Sequence, residues 1–155
     1  MPFLSAMPAF QSTAHDARCA WLAPMAVLRM RYAPLLMTVG EVLAEVEKDK
    51  GFYDNTGGGL TVSGGEVLAH AEFAGALIDA AAARGISSCV DTSGFGSSRA
   101  LLDLVSRPGV TDVLFDIKAV DDELHREFVG VSVEPVLANV RLLSADEAIL
   151  PKITV

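Results

Sequence analysis

Cysteine is nearly absent from this chain: there are two in 155 residues, Cys19 and Cys89. So few thiols exclude a disulfide scaffold and make a reducing, cytoplasmic setting the expectation. Basic residues are also scarce, 12 against 20 acids, for a formal charge of −8. A net acidic surface argues against nucleic acid as a partner, because binding it needs a basic face. Long apolar runs are missing. The longest, residues 19–28, is interrupted by Pro24, whereas a membrane-spanning helix needs about 20 apolar residues. No membrane association is expected. No charged segment leads into an apolar run near Met1, so no signal peptide is expected either.

What is present is apolar: 51% of the residues, with 21% charged. That composition supports one well-cored domain and excludes disordered, collagenous and low-complexity chains. Charge is divided unevenly. Residues 1–36 hold one acid, Asp16, three arginines and four of the seven prolines. No period runs through them, and they read as an irregular N-terminal segment without a targeting pattern. The remaining residues, 37–155, carry a net charge of −10.

Regular punctuation begins at Met37. Thr38 and Glu41 form a capping-box pattern, and Val39, Val42, Leu43 and Val46 follow at helical spacing. Lys48 and Lys50 close this helix and Gly51 is expected to stop it. Strands are expected over 60–63, 86–90 and 112–117, with a fourth starting at 152–155. Helices are expected between them, over 71–83, from Ser97 or Ser98 to Val105, over 121–128 and over 134–143. Strands alternating with helices mean βαβ units and a parallel sheet, an α/β fold.

Polar clusters follow the strands in order. Ser63-Gly64-Gly65-Glu66 follows the first, Asp91-Thr92-Ser93-Gly94 the second, and Asp116-Ile117-Lys118 closes the third. All three fall at carboxyl ends of parallel strands, where α/β sheets build their sites. Each also has a plain structural reading: Gly-Gly as a turn, Asp91 as a turn cap, Asp116 and Lys118 as an ion pair. Together they describe a site. A carboxylate beside two glycines can hold an ammonium where the backbone approaches closely. Lys118 offers a point charge for a carboxylate or phosphate. Asp91 and Thr92 offer oxygens for a hydroxyl or a hard cation. An amino acid joined to a nucleoside matches all three.

Four segments carry a family resemblance: Met37-Thr38-Val39-x-Glu41-Val42-Leu43, Gly57-Gly58-Gly59-Leu60-Thr61-Val62-Ser63-Gly64-Gly65-Glu66, Asp91-Thr92-Ser93-Gly94 and Phe115-Asp116-Ile117-Lys118. In this order they resemble the glycyl-radical-enzyme activating enzymes of the radical S-adenosylmethionine superfamily. His125 and Val129-Gly130-Val131-Ser132 match in style. The resemblance covers residues 37–144. It implies a partial (β/α) barrel holding a [4Fe-4S] cluster and S-adenosylmethionine. It also implies a 5′-deoxyadenosyl radical that takes hydrogen from a glycine of a partner glycyl-radical enzyme. Flavodoxin or ferredoxin would serve as reductant. Carried over residue by residue, Gly64, Gly65 and Glu66 would hold the methionyl ammonium. Asp91 and Thr92 would lie by the cofactor's carboxylate, and Asp116 and Lys118 would complete the rim.

One departure stands beside the match. The family holds its cluster by Cys-x3-Cys-x2-Cys, and this chain has no such motif. His15, His70 and His125 lack the spacing to replace it. Cys19-Ala20-Trp21-Leu22-Ala23-Pro24 resembles the end of a ferredoxin run, so residues 1–36 read as a degraded ferredoxin-like insertion. Cys89 is expected to be a buried, inert thiol among apolar neighbours. The chain is therefore expected to be a barrel cut short at both ends and inactive alone. The alternatives are a non-catalytic S-adenosylmethionine-binding module and a structural α/β module.

Overall fold

A computed structural model describes residues 36–155. The ferredoxin-like reading of residues 1–36, with Cys19 and His15, lies outside the described residues apart from Leu36. The described part opens with helix α1, Val39–Val46, whose capping box forms as its sequence dictates. The Thr38 hydroxyl accepts from the Glu41 amide, and the Glu41 carboxylate accepts from the Thr38 amide. Those bonds to Thr38 hold the Glu41 carboxyl below its usual range. Gly51 does not stop the helix. The chain tightens into a 3-10 turn, Glu47–Asp49, and resumes as α2, Lys50–Thr56, with Gly51 inside it. The stop is Gly57, whose φ of 71° supplies the left-handed C-cap.

Then β and α alternate. Strand β1, Gly59–Val62, leads through a 3-10 turn, Val67–His70, into α3, Ala71–Ala82. Strand β2, Ser87–Thr92, leads to α4, Ser98–Val105. Strand β3, Val110–Phe115, leads to α5, Asp122–Val129, and then α6, Glu134–Ser144. A short β4, Ile153–Thr154, follows. All pairings are parallel and the order is β1-β2-β3-β4. This is an α/β fold with the sequential strand order of a (β/α) barrel, over a partial set of strands.

The strands bury one face. Val62, Val90, Val113 and Phe115 point into a core completed by Leu77 and Ile78 of α3, Leu101, Leu104 and Val105 of α4, and Val136 and Leu143 of α6. Helix α1 joins this core through Val42 and Leu43, packed against α3. Alternation places Ser87, Cys89 and Asp91 on the opposite face of β2, where none is fully buried. Cys89 is therefore half-buried rather than buried. It pairs across the sheet with Thr61 and Asp112, so its neighbours are polar and not the apolar set expected. Between Ser88 and Cys89 the register with β3 slips by one residue, from Val110 to Asp112. This bulge lets both Val110 and Val113 face the core although they are three apart. It also brings Phe115 in phase beneath the loop after β2.

Among the described residues no helix is long and apolar enough to cross a membrane.

Candidate functional site

The carboxyl ends of β1, β2 and β3 lie side by side, and the three polar clusters meet there. Gly64, Gly65, Glu66, Asp91, Thr92, Asp116 and Lys118 all line one open cavity of about 130 Å³, joined by Ser63 and Ser93. Pockets that enclose a drug-sized ligand run to about 300–1,000 Å³. This cavity fits a polar end group rather than a whole nucleoside. Asp91 and Thr92, expected just after a strand, are instead the last two residues of β2. Asp91 thus faces the open side of the sheet while Thr92, 3% exposed, turns inward.

Glu66 is the most heavily bonded group at the rim. One carboxylate oxygen accepts from the Leu68 amide at 3.1 Å and the Thr92 hydroxyl at 2.5 Å. The other accepts from the Ser93 amide at 3.0 Å and the Ser93 hydroxyl at 2.5 Å. A carboxylate offers about four acceptor sites, and four donors occupy them. Glu66 therefore clasps the β1 loop to the end of β2. An ammonium reaching it would share or displace one of these donors. The Thr92 hydroxyl is likewise spent within the protein, donating to Glu66 and accepting from the Gly94 amide at 2.9 Å.

Asp91 and Lys118 are less committed. Asp91 Oδ2 accepts from the Ser63 hydroxyl at 2.6 Å, and among the described residues its Oδ1 has no partner. Lys118 pairs with Asp116, both largely exposed. Such a pair holds little energy in water and exchanges partners readily. The Asp116 amide donates to the Thr92 carbonyl at 2.9 Å, which fixes the end of β3 against β2. Three carboxylates and one ammonium line the cavity, so it favours the cationic part of a ligand. The space beside Gly65 is open.

Ser63 and Ser93 were not singled out in the sequence, although both stand inside the quoted motifs. Asn139 carried no local signal at all. It is a buried polar residue on α6, and its amide reaches the Gly94 carbonyl at 2.7 Å. His125 is buried on α5, and its Nδ1 donates to the Val131 carbonyl.

The model of the Radical SAM superfamily matches residues 12–146. The chain belongs to the radical SAM superfamily. It is 36% identical over 111 residues to the (2S)-3-sulfopropanediol dehydratase activating enzyme of Klebsiella oxytoca, covering 72% of this chain and 34% of that protein. It is 41% identical over 109 residues to the isethionate sulfite-lyase activating enzyme of Nitratidesulfovibrio vulgaris, covering 70% and 35%. A solved domain of the pyruvate-formate lyase-activating enzyme from Bacteroides vulgatus superposes with a TM-score of 0.48 at 32% identity, over 57% of this chain and 53% of that one. The chain spans about a third of the length of the curated relatives it matches.

Radical SAM proteins use S-adenosylmethionine and an iron–sulfur cluster, and the two fit this chain differently. The acidic rim with one lysine has the donor chemistry for a sulfonium-bearing amino acid. The cluster does not fit. Iron–sulfur clusters are held by several thiolates, and this radical SAM chain has two cysteines in all. Among the described residues no three His, Cys, Asp or Glu side chains are grouped to hold a metal. Cys89 is a poor ligand besides. Burial, then the neighbouring Asp112 and Asp91, push its thiol above the usual range and keep it protonated.

Proposed function

We propose that this chain carries the S-adenosylmethionine-binding rim of a glycyl-radical-enzyme activating enzyme. S-adenosylmethionine, when bound, supplies the 5′-deoxyadenosyl group that such an enzyme directs at a glycine of its partner. The partner is a glycyl-radical enzyme of the pyruvate formate-lyase type, and the reductant a flavodoxin or ferredoxin in a reducing cytoplasm. The chain's own part is binding and orientation. Asp91 Oδ1 and the Gly64–Gly65 backbone take the methionyl ammonium. Lys118 turns from Asp116 to the methionyl carboxylate. Glu66 holds the Ser93 and Thr92 loop in place beneath them. The cluster thiolates come from outside these residues. The observation that carries the proposal is the convergence of all seven selected residues on one acidic cavity.

A second reading is a structural module, favoured by the four donors that fill Glu66 and by the bonds that tie Thr92 to Glu66 and Gly94. Calorimetric titration with S-adenosylmethionine separates the two. Binding is expected, weakened about tenfold in Asp91→Asn and in Lys118→Ala, as for the loss of one charge-assisted bond. S-adenosylhomocysteine, without the sulfonium charge, should bind more weakly. An absence of binding heat, with the variants changing thermal stability alone, would leave the structural reading.

A further inference from the structure

We propose that Asn139 is a positioning residue for the candidate site, acting on it through the loop after β2. This rests on the reading of that site as an S-adenosylmethionine rim and adds a residue outside it. Asn139 is not among the residues lining the cavity. It is 1% exposed, on a helix more than forty residues downstream of the loop. Yet its side-chain amide is spent on that loop and on the first residue of the helix that follows it. Nδ2 donates to the Gly94 carbonyl at 2.7 Å and to the Gly96 carbonyl at 3.2 Å. Oδ1 accepts from the Ser98 hydroxyl at 2.6 Å.

The segment it grips is the one that presents Ser93. Gly94 follows Ser93 directly and stands at φ 71°. Its amide is held by Thr92, and the Phe115 ring fills the place a Cβ would need. Gly96 also lies against Leu68, in the turn that Glu66 caps. The loop is thus pinned from below by Phe115, from the β1 side by Leu68 and Glu66, and from the far side by Asn139. Of these, Asn139 alone satisfies the loop's carbonyls. The Gly94 carbonyl is buried, and without its donor it is costly, so the loop would turn it toward water. That movement pulls Ser93 off the Glu66 carboxylate, and with it the clasp that shapes the rim.

An ordinary structural asparagine would affect the whole fold alike, whereas a positioning residue acts first at Ser93. Amide hydrogen exchange in the intact chain reads this directly. In Asn139→Ala the Ser93 amide should exchange about tenfold faster relative to the β2 ladder amides, for the loss of its loop's carbonyl partners. Affinity for S-adenosylmethionine should fall about tenfold with it. Exchange rising evenly along β2, or unchanged at Ser93, would overturn the proposal. Should Asn139→Ala not fold, Ser98→Ala loosens the same amide by one bond and should show about a threefold effect in the same ratio, with the same overturning result. If the unmodified chain binds no S-adenosylmethionine, the function proposed above fails, and the exchange ratio by itself still decides the role of Asn139.

Discussion

At Gly94 two independent requirements exclude a side chain. The φ of 71° is left-handed, and the Phe115 ring occupies the Cβ position. Gly94→Ala should therefore destabilise the fold by about 3 kcal/mol, combining backbone strain with overpacking. Urea unfolding of a Gly94→Ala, Phe115→Leu pair separates the parts. The smaller ring substitute should recover the packing part and leave roughly 1 kcal/mol of backbone strain. Equal losses in the single and double variants would mean that the ring is not what excludes the Cβ. Glu66 shows the same economy with hydrogen bonds. One carboxylate joins β1, the following turn and β2, so its charge serves the frame of the rim before it serves a ligand.

Helix α5 is held by a carboxylate of a different kind. It buries only His125, and most of its apolar residues, Leu124 and Phe128 included, are exposed. Its attachment is polar. Asp122 Oδ1 accepts from the Ser132 hydroxyl at 2.6 Å and the Val133 amide at 2.9 Å. Its Oδ2 accepts from Arg126 at 2.7 Å. The Ser132 bond first, then those from Arg126 and Val133, hold the Asp122 carboxyl down from 3.8 to about 2. A carboxyl depressed on folding stabilises the folded state fully above its unfolded value near 3.8. That contribution is lost as pH falls through about 2. Asp122→Asn should accordingly unfold at lower urea than the parent at pH 6, and the gap should close as pH falls from 4 toward 2. A gap independent of pH would show that ionisation of Asp122 is not what secures the loop into α6. This loop also shows where sequence reading ends. The helices over 71–82 and 98–105 and the three main strands were legible because caps, glycines and apolar spacing are local signals. The rim residues were legible for the same reason, each lying in a short motif at a strand end. Gly51 misled because a glycine with ordinary φ can continue a helix, and Gly57 six residues later took the cap. Asn139 and the β3 bulge were invisible because each is defined by a partner far along the chain.

For the whole molecule the decisive asymmetry is between the two cofactors that radical SAM proteins use. The seven polar residues at the ends of three strands line one cavity, and Asn139 reaches the loop beside them from a fourth element. The thiolate set does not exist in these 155 residues. Cys89 does not substitute, since it sits half-buried between Thr61 and Asp112 in the sheet register, with its thiol held protonated. The two functions should therefore separate cleanly in one preparation. Anaerobic incubation of the chain with ferrous iron and sulfide should give no stoichiometric cluster absorption, and Cys89→Ser should behave identically. The same preparation should still titrate with S-adenosylmethionine, because the rim depends on carboxylates, Lys118 and backbone rather than on sulfur. A stoichiometric cluster formed by the chain and abolished by Cys89→Ser would overturn this division, placing a metal ligand on the open face of β2 where the surrounding carboxylates oppose a thiolate.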